Sequence, residues 1–131
     1  MHITESIDEI LRSEHSLGAR FYERFFKECP HLQTYFRGVD MDRQAILLTS
    51  AIVLVETIQS RKASGLGPYL QMLGRQHQAR GISREDFTDW TESMLLTLAE
   101  FHGDRWSKSL ECEWHQAISN VAQKMLEAYE T

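Results

Sequence analysis

Apolar residues recur at intervals of three and four along nearly the whole chain, and strand-like alternation is nowhere sustained, so the sequence reads as all-α. A first short helix is predicted from near Thr4 or Ser6, with Ile7, Ile10 and Leu11 on its inner face. A second carries Leu17, Phe21, Tyr22, Phe25 and Phe26 and ends at Pro30, which suits the first turn of a short helical segment reaching Phe36. Arg37 to Asp40 then form a corner around Gly38. From about Met41 to Arg61 a long helix shows Gln44, Leu48, Ala51, Ile52, Val55 and Ile58 on one stripe. Ser64, Gly65, Gly67 and Pro68 read as a loop whose proline can open the next helix, where Leu70, Leu73 and His77 share a face. Gly81 is a plausible stop, and Ser83 with Asp86 forms a capping box for a helix carrying Phe87, Trp90, Met94 and Leu98, closed by Gly103. The last helix begins near Ser107, with Leu110, Trp114, Ile118, Val121 and Met125 as its inner seam. About seven helices result, one of them very short.

Length and charge narrow the partners. At 131 residues, the chain fits one compact domain, 1–131, with room for a sizeable core. The net charge of −5 argues against nucleic acid and anionic membrane surfaces, which recruit basic patches. Met1 to Glu9 holds three acidic residues and no apolar core of a signal peptide, and the longest fully apolar run, Ala51 to Val55, is far below membrane-spanning length. A cytoplasmic protein is expected. Cys29 and Cys112 lie 83 positions apart without metal-ligand spacing, which suits reduced thiols better than a disulfide.

Two polar residues fall on apolar stripes of different helices, Gln44 and His77. An unpaired buried amide or imidazole costs ~1 to 3 kcal/mol, so something polar or metallic should lie between them. A lone histidine on an apolar face is nonetheless more often a satisfied core residue than a ligand. Tyr22 could equally be a core tyrosine bonded to a carbonyl, Gln44 a helix-start residue and Phe36 ordinary core.

The segment Leu73-Gly-Arg-Gln-His77-Gln-Ala-Arg-Gly81-Ile82, with Phe21-Tyr22-Glu-Arg-Phe-Phe26 and Pro30-His-Leu32-Gln-Thr-Tyr-Phe36 upstream, resembles the bacterial globins, specifically the haem domains of flavohaemoglobins and their single-domain relatives. The resemblance keeps order and spacing over nearly the whole chain. It comprises a tyrosine in the second helix, a phenylalanine fourteen positions on, a glutamine opening the long helix, a leucine four positions later, and the histidine before an Arg-Gly-Ile turn. It implies a three-over-three globin fold around one haem b, with His77 as the proximal iron ligand. Tyr22 and Gln44 become the distal pair donating to dioxygen or another diatomic gas, each hydrogen bond worth ~1.5 to 3 kcal/mol. Phe36 packs on the porphyrin and Leu48 narrows the ligand cavity. Leu73, Ile82, Phe87 and Met94, together with Met72 and Trp90, form the apolar wall. Arg80 and Arg75 are the cations nearest the ligand in sequence and suit the propionates. His2, His15, His31, His102 and His115 include no residue at the distal-histidine position, which matches Gln44, so no second histidine ligand is expected.

The sequence also departs from that pattern. The family's proximal tyrosine matches Phe87, ten positions after His77, and its proximal glutamate matches about Tyr129, which predicts a less electron-rich, more myoglobin-like iron. The corner before Gln44 is shorter and the first helix abbreviated. No flavin and nicotinamide reductase follows the last helix, so reduction of the iron is expected to need a separate protein. Three functions fit these residues: reversible oxygen binding for storage, delivery or scavenging; nitric oxide dioxygenation with that external reductase; and a regulatory module, either a haem-based gas sensor or a haem-free bundle that binds proteins.

Overall fold

The computed structural model describes residues 1–62 and 65–130. Among the described residues there are six α-helices, α1 (Ile3–Arg12), α2 (Leu17–Glu28), α3 (Met41–Arg61), α4 (Gly67–Ala79), α5 (Arg84–His102) and α6 (Lys108–Leu126). Two 3-10 segments lie between them, Pro30–Phe36 and Gly103–Arg105, a third, Glu127–Glu130, follows α6, and no strand occurs among the described residues. Ser64, expected in the loop before α4, lies outside the described residues, and Gly67 belongs to the helix rather than to that loop.

Local chemistry sets the boundaries. The Ser16 hydroxyl accepts from Ala19 N at the start of α2, and one Asp40 carboxylate oxygen accepts from Asp42 N and Arg43 N at the start of α3. Ser83 and Asp86 satisfy one another's backbone N–H groups at 3.2 and 2.9 Å, the capping box that opens α5. Ser107 caps α6 by accepting from Leu110 N. Each cap replaces water at an otherwise unpaired N–H, worth ~1 kcal/mol.

Burial follows the helical stripes with two corrections. On α1 the buried set is Ile3, Ser6, Ile7 and Ile10, while Leu11 is 58% exposed because it lies one residue, about 100°, round the helix from Ile10. On α3 the buried ridge is Ala45, Leu48, Ile52 and Val55, and Ala51, expected on it, is exposed. Ala51 belongs to a neighbouring ridge with Gln44, Leu47 and Leu54, which the core does not cover. Val121 and Met125 of the α6 seam are only half-buried.

The core joins α1, α2, α3, α5 and α6, with Phe21, Trp114, Leu17, Ile52, Met94, Leu98 and Leu110 all but completely buried. Each such side chain contributes ~1.5 to 3 kcal/mol by leaving water. Helix α2 packs on α3 and α5, and α6 lies against α1, α3, α4 and α5. Helix α4 packs on α6 and the Glu127–Glu130 segment. Among the described residues, neither α3 nor α4 packs along the other.

Two of these crossings require glycine. A Cβ on Gly18 would stand 2.1 Å from the Ala45 carbonyl oxygen, and one on Gly74 would stand 2.0 Å from that of Met125. Both neighbours are backbone and cannot swing aside, so any side chain forces the helices apart.

Candidate functional site

The α2–α3 crossing brings two sequence-predicted residues together. Tyr22 stands one turn beyond Gly18, and Gln44 directly precedes Ala45, so backbone contact at the glycine sets the distance between the side chains. Gln44 Nε2 donates to the Tyr22 phenolic oxygen at 3.0 Å. The Tyr22 O–H therefore keeps its own proton, for which no acceptor stands among the described residues. Burial raises the phenol's pKa more than the Gln44 hydrogen bond lowers it, so Tyr22 is held as a neutral donor. Thr49 braces the crossing: its hydroxyl accepts from Gly18 N and donates to the Ala45 carbonyl.

Aromatic rings enclose this pair. Phe36 meets Tyr22 edge-on with centroids 5.2 Å apart and lies 5.4 Å from Phe26, which in turn lies 5.5 Å from Tyr22. Trp90 of α5 sits 5.3 Å from Phe21. Leu48 is buried beneath Gln44, and Met94 is wholly buried in the main core.

His77 belongs to a different wall, one turn beyond Gly74 on α4. Its Nδ1 lies 2.6 Å from the Leu73 carbonyl oxygen. A carbonyl only accepts, so Nδ1 bears the hydrogen, and in that tautomer of the imidazole Nε2 carries the unshared pair. That atom has no hydrogen-bond partner among the described residues. Phe87 stands 6.0 Å from the imidazole and 5.8 Å from Tyr129. The turn after His77 is clamped from both sides: Tyr35 donates to the Gly81 carbonyl at 2.9 Å and Tyr129 to the Ile82 carbonyl at 2.8 Å. Tyr129, expected at the position of a missing imidazole partner, thus spends its proton on the backbone. Leu73, Ile82 and Phe87 are half-buried, while Arg75 and Arg80 are exposed.

Apolar side chains on α3 and α4 meet solvent. Leu47 on α3 is 50% exposed and Met72 on α4 is 38% exposed. Two polar groups keep hydrogen-bonding capacity unspent, the Tyr22 hydroxyl and His77 Nε2. A nitrogen lone pair on one helix, a free O–H on another and exposed apolar side chains on α3 and α4 are the residue types that suit a flat, mostly apolar group carrying a metal.

Sequence reasoning missed Gly18 and Gly74, although a glycine inside an amphipathic helix, costing about 1 kcal/mol against alanine, is itself a sign of close packing. It also missed Tyr35, whose partner lies 46 residues away. Cys29 is half-buried and Cys112 exposed, and both thiols are free. No helix among the described residues is long and apolar enough to cross a membrane.

A family model described as Globin matches residues 19–125. The chain is 19% identical over 126 residues to a flavohemoprotein of Bacillus subtilis (strain 168), an alignment covering 95% of this chain and 31% of the relative. It is 32% identical over 57 residues to a leghemoglobin of Psophocarpus tetragonolobus, covering 44% of this chain and 39% of the relative. The chain spans about a third of the first relative's length and about two fifths of the second's.

Proposed function

The chain belongs to the globin family, and from that premise we propose that it binds haem b and takes up dioxygen reversibly, with residues 1–131 acting as one domain. The observation that carries this reading is the pair of unspent polar groups, the Tyr22 O–H and His77 Nε2, on walls that leave Leu47 and Met72 uncovered. His77 would hold the iron through Nε2, its ring oriented by the Nδ1–H bond to Leu73. Haem supplies an iron with one open position for a diatomic gas. Tyr22 would donate its proton to that ligand, and Gln44 would hold the phenol in place. Leu48, Phe36, Leu73, Ile82, Phe87 and Met94 would supply apolar contacts, and Arg80 at the exposed edge a cation for a propionate. The free cysteines support a reducing, cytoplasmic setting.

A second reading, nitric oxide dioxygenation with a separate reductase, draws on the alignment with a flavohemoprotein. The His77 environment favours plain binding over this. Its Nδ1–H meets only a neutral carbonyl, which gives the imidazole little anionic character.

The test is ultraviolet-visible spectroscopy of the haem-supplied protein in ferric, ferrous, oxygenated and carbonyl forms, with His77→Ala alongside. The expected result is a five-coordinate ferrous spectrum that converts to a stable oxygenated one, lost in His77→Ala. A wild type lacking a Soret band would overturn the proposal and leave a haem-free bundle. Sustained nitric oxide turnover with a reductase would favour the second reading.

A further inference from the structure

Away from the two walls, the Pro30–Phe36 segment meets the first turns of α5 through charged side chains. His31 Nε2 lies 3.7 Å from Asp86 Oδ1, and one ligand atom each of His31, Asp86 and Asp89 all lie within 4.8 Å of one another. Asp86 and Asp89, three residues apart on a helix, present their carboxylates on one face toward the imidazole. Asp86 is already aimed. Its Oδ2 accepts from Ser83 N at 2.9 Å and stands 3.4 Å from the Tyr35 hydroxyl, so Oδ1 is the atom left to face His31. That is how a ligating carboxylate is fixed by its surroundings in a metal centre.

We infer that His31, Asp86 and Asp89 form a binding site for one borderline divalent metal ion of the zinc type. Bonds of about 2.0 to 2.2 Å to a tetrahedral ion separate ligand atoms by roughly 3.3 to 3.6 Å. The 3.7 Å between His31 Nε2 and Asp86 Oδ1 is already close to that, and the His31 side chain is exposed and free to turn. One imidazole with two carboxylates favours zinc over magnesium or calcium, which take all-oxygen sets. A bound ion would tie the segment that ends in Phe36, against Tyr22, to the helix that carries Phe87, against His77. This inference does not depend on haem.

The experiment is calorimetric titration of the untagged full chain with zinc chloride and, separately, magnesium chloride, paired with thermal unfolding. His31→Ala and Asp89→Asn are compared with wild type, and His115→Ala serves as a surface-histidine control. Asp86 is spared because it caps α5. The expected result is one zinc per chain and a raised unfolding temperature, with at least about tenfold weaker binding in His31→Ala and in Asp89→Asn. His115→Ala should match wild type, and magnesium should give no saturable heat. Absence of saturable zinc binding, or binding unchanged in both site variants, would overturn the inference.

Discussion

The two walls of the candidate site are built on the same plan and finished differently. In each, a glycine lets two helix backbones touch, and a polar residue one turn further on points its chemistry from that crossing: Gly18 with Tyr22, and Gly74 with His77. The α2–α3 wall then satisfies itself through side chains. Gln44 donates to Tyr22, and the rings of Phe21, Phe26 and Phe36 pack against the phenol. The α4 wall satisfies itself through backbone carbonyls, those of Leu73, Gly81 and Ile82, each taken by a histidine or tyrosine. The difference teaches what each wall is for. Bonding His77 to a carbonyl fixes its orientation and tautomer without adding charge, whereas bonding Tyr22 to an amide fixes a donor whose proton remains available.

Breaking the crossings should have the largest effect. Gly18→Ala and Gly74→Ala each place a methyl group against backbone, and each is expected to destabilise the fold by about 3 kcal/mol, the upper end of overpacking costs. Denaturant unfolding measures this, and carbonyl-form spectra of the folded fraction should separate the two. Gly18→Ala should perturb the gas ligand's environment, and Gly74→Ala the retention of haem. Equal spectral changes in both would dissolve the distinction between the walls.

Removing the proton donor comes next. Tyr22→Phe deletes one charge-assisted hydrogen bond and should speed oxygen release about ten- to a hundredfold, from ~1.5 to 3 kcal/mol. Gln44→Leu should do less, because it removes the support for the donor and leaves the donor itself. Stopped-flow dissociation kinetics checks the order, and a larger effect from Gln44→Leu would reverse the assigned roles.

The smallest effect concerns a third polar cluster, remote from both walls. His102 has a fully covered side chain, its Nδ1 3.1 Å from Glu9 Oε2 and its Nε2 2.6 Å from Ser6 Oγ, which also accepts from Trp114 Nε1. Glu9 is further paired with Arg105. Burial lowers the His102 pKa below its ordinary 6.5. The unfolded chain therefore binds more protons in the window between the lowered folded value and 6.5, and stability rises with pH across it. Below the folded value the loss is complete. Unfolding in urea between pH 5 and 7 should show a steeper dependence for wild type than for His102→Gln, and identical slopes would assign the pH response to other groups.

Much of this arrangement was legible in the residues. Ser83 with Asp86 announced a helix start because a hydroxyl and a carboxylate at that spacing satisfy local N–H groups wherever the chain goes. Gln44 and His77 stood out because polar groups on apolar stripes need partners, and the structure gives both one. Ala51 was misplaced because its stripe and its neighbour's differ by one residue, and only the packing of α3 on α1, α2 and α6 decides which of two adjacent apolar ridges is covered. The His31, Asp86 and Asp89 cluster carried no sequence signal, since its members are separated by the whole of α3 and α4.

By itself, then, the sequence determined the helices, their ends and the residue types available for chemistry, all consequences of interactions within a few residues. Tertiary structure alone decided that Gly18 and Gly74 are contact points, that Tyr35 and Tyr129 clamp the turn beyond His77, and that Leu47 and Met72 stay uncovered. Those facts depend on which helix faces which, and helix faces are chosen by the packing of the whole core rather than by any local pattern.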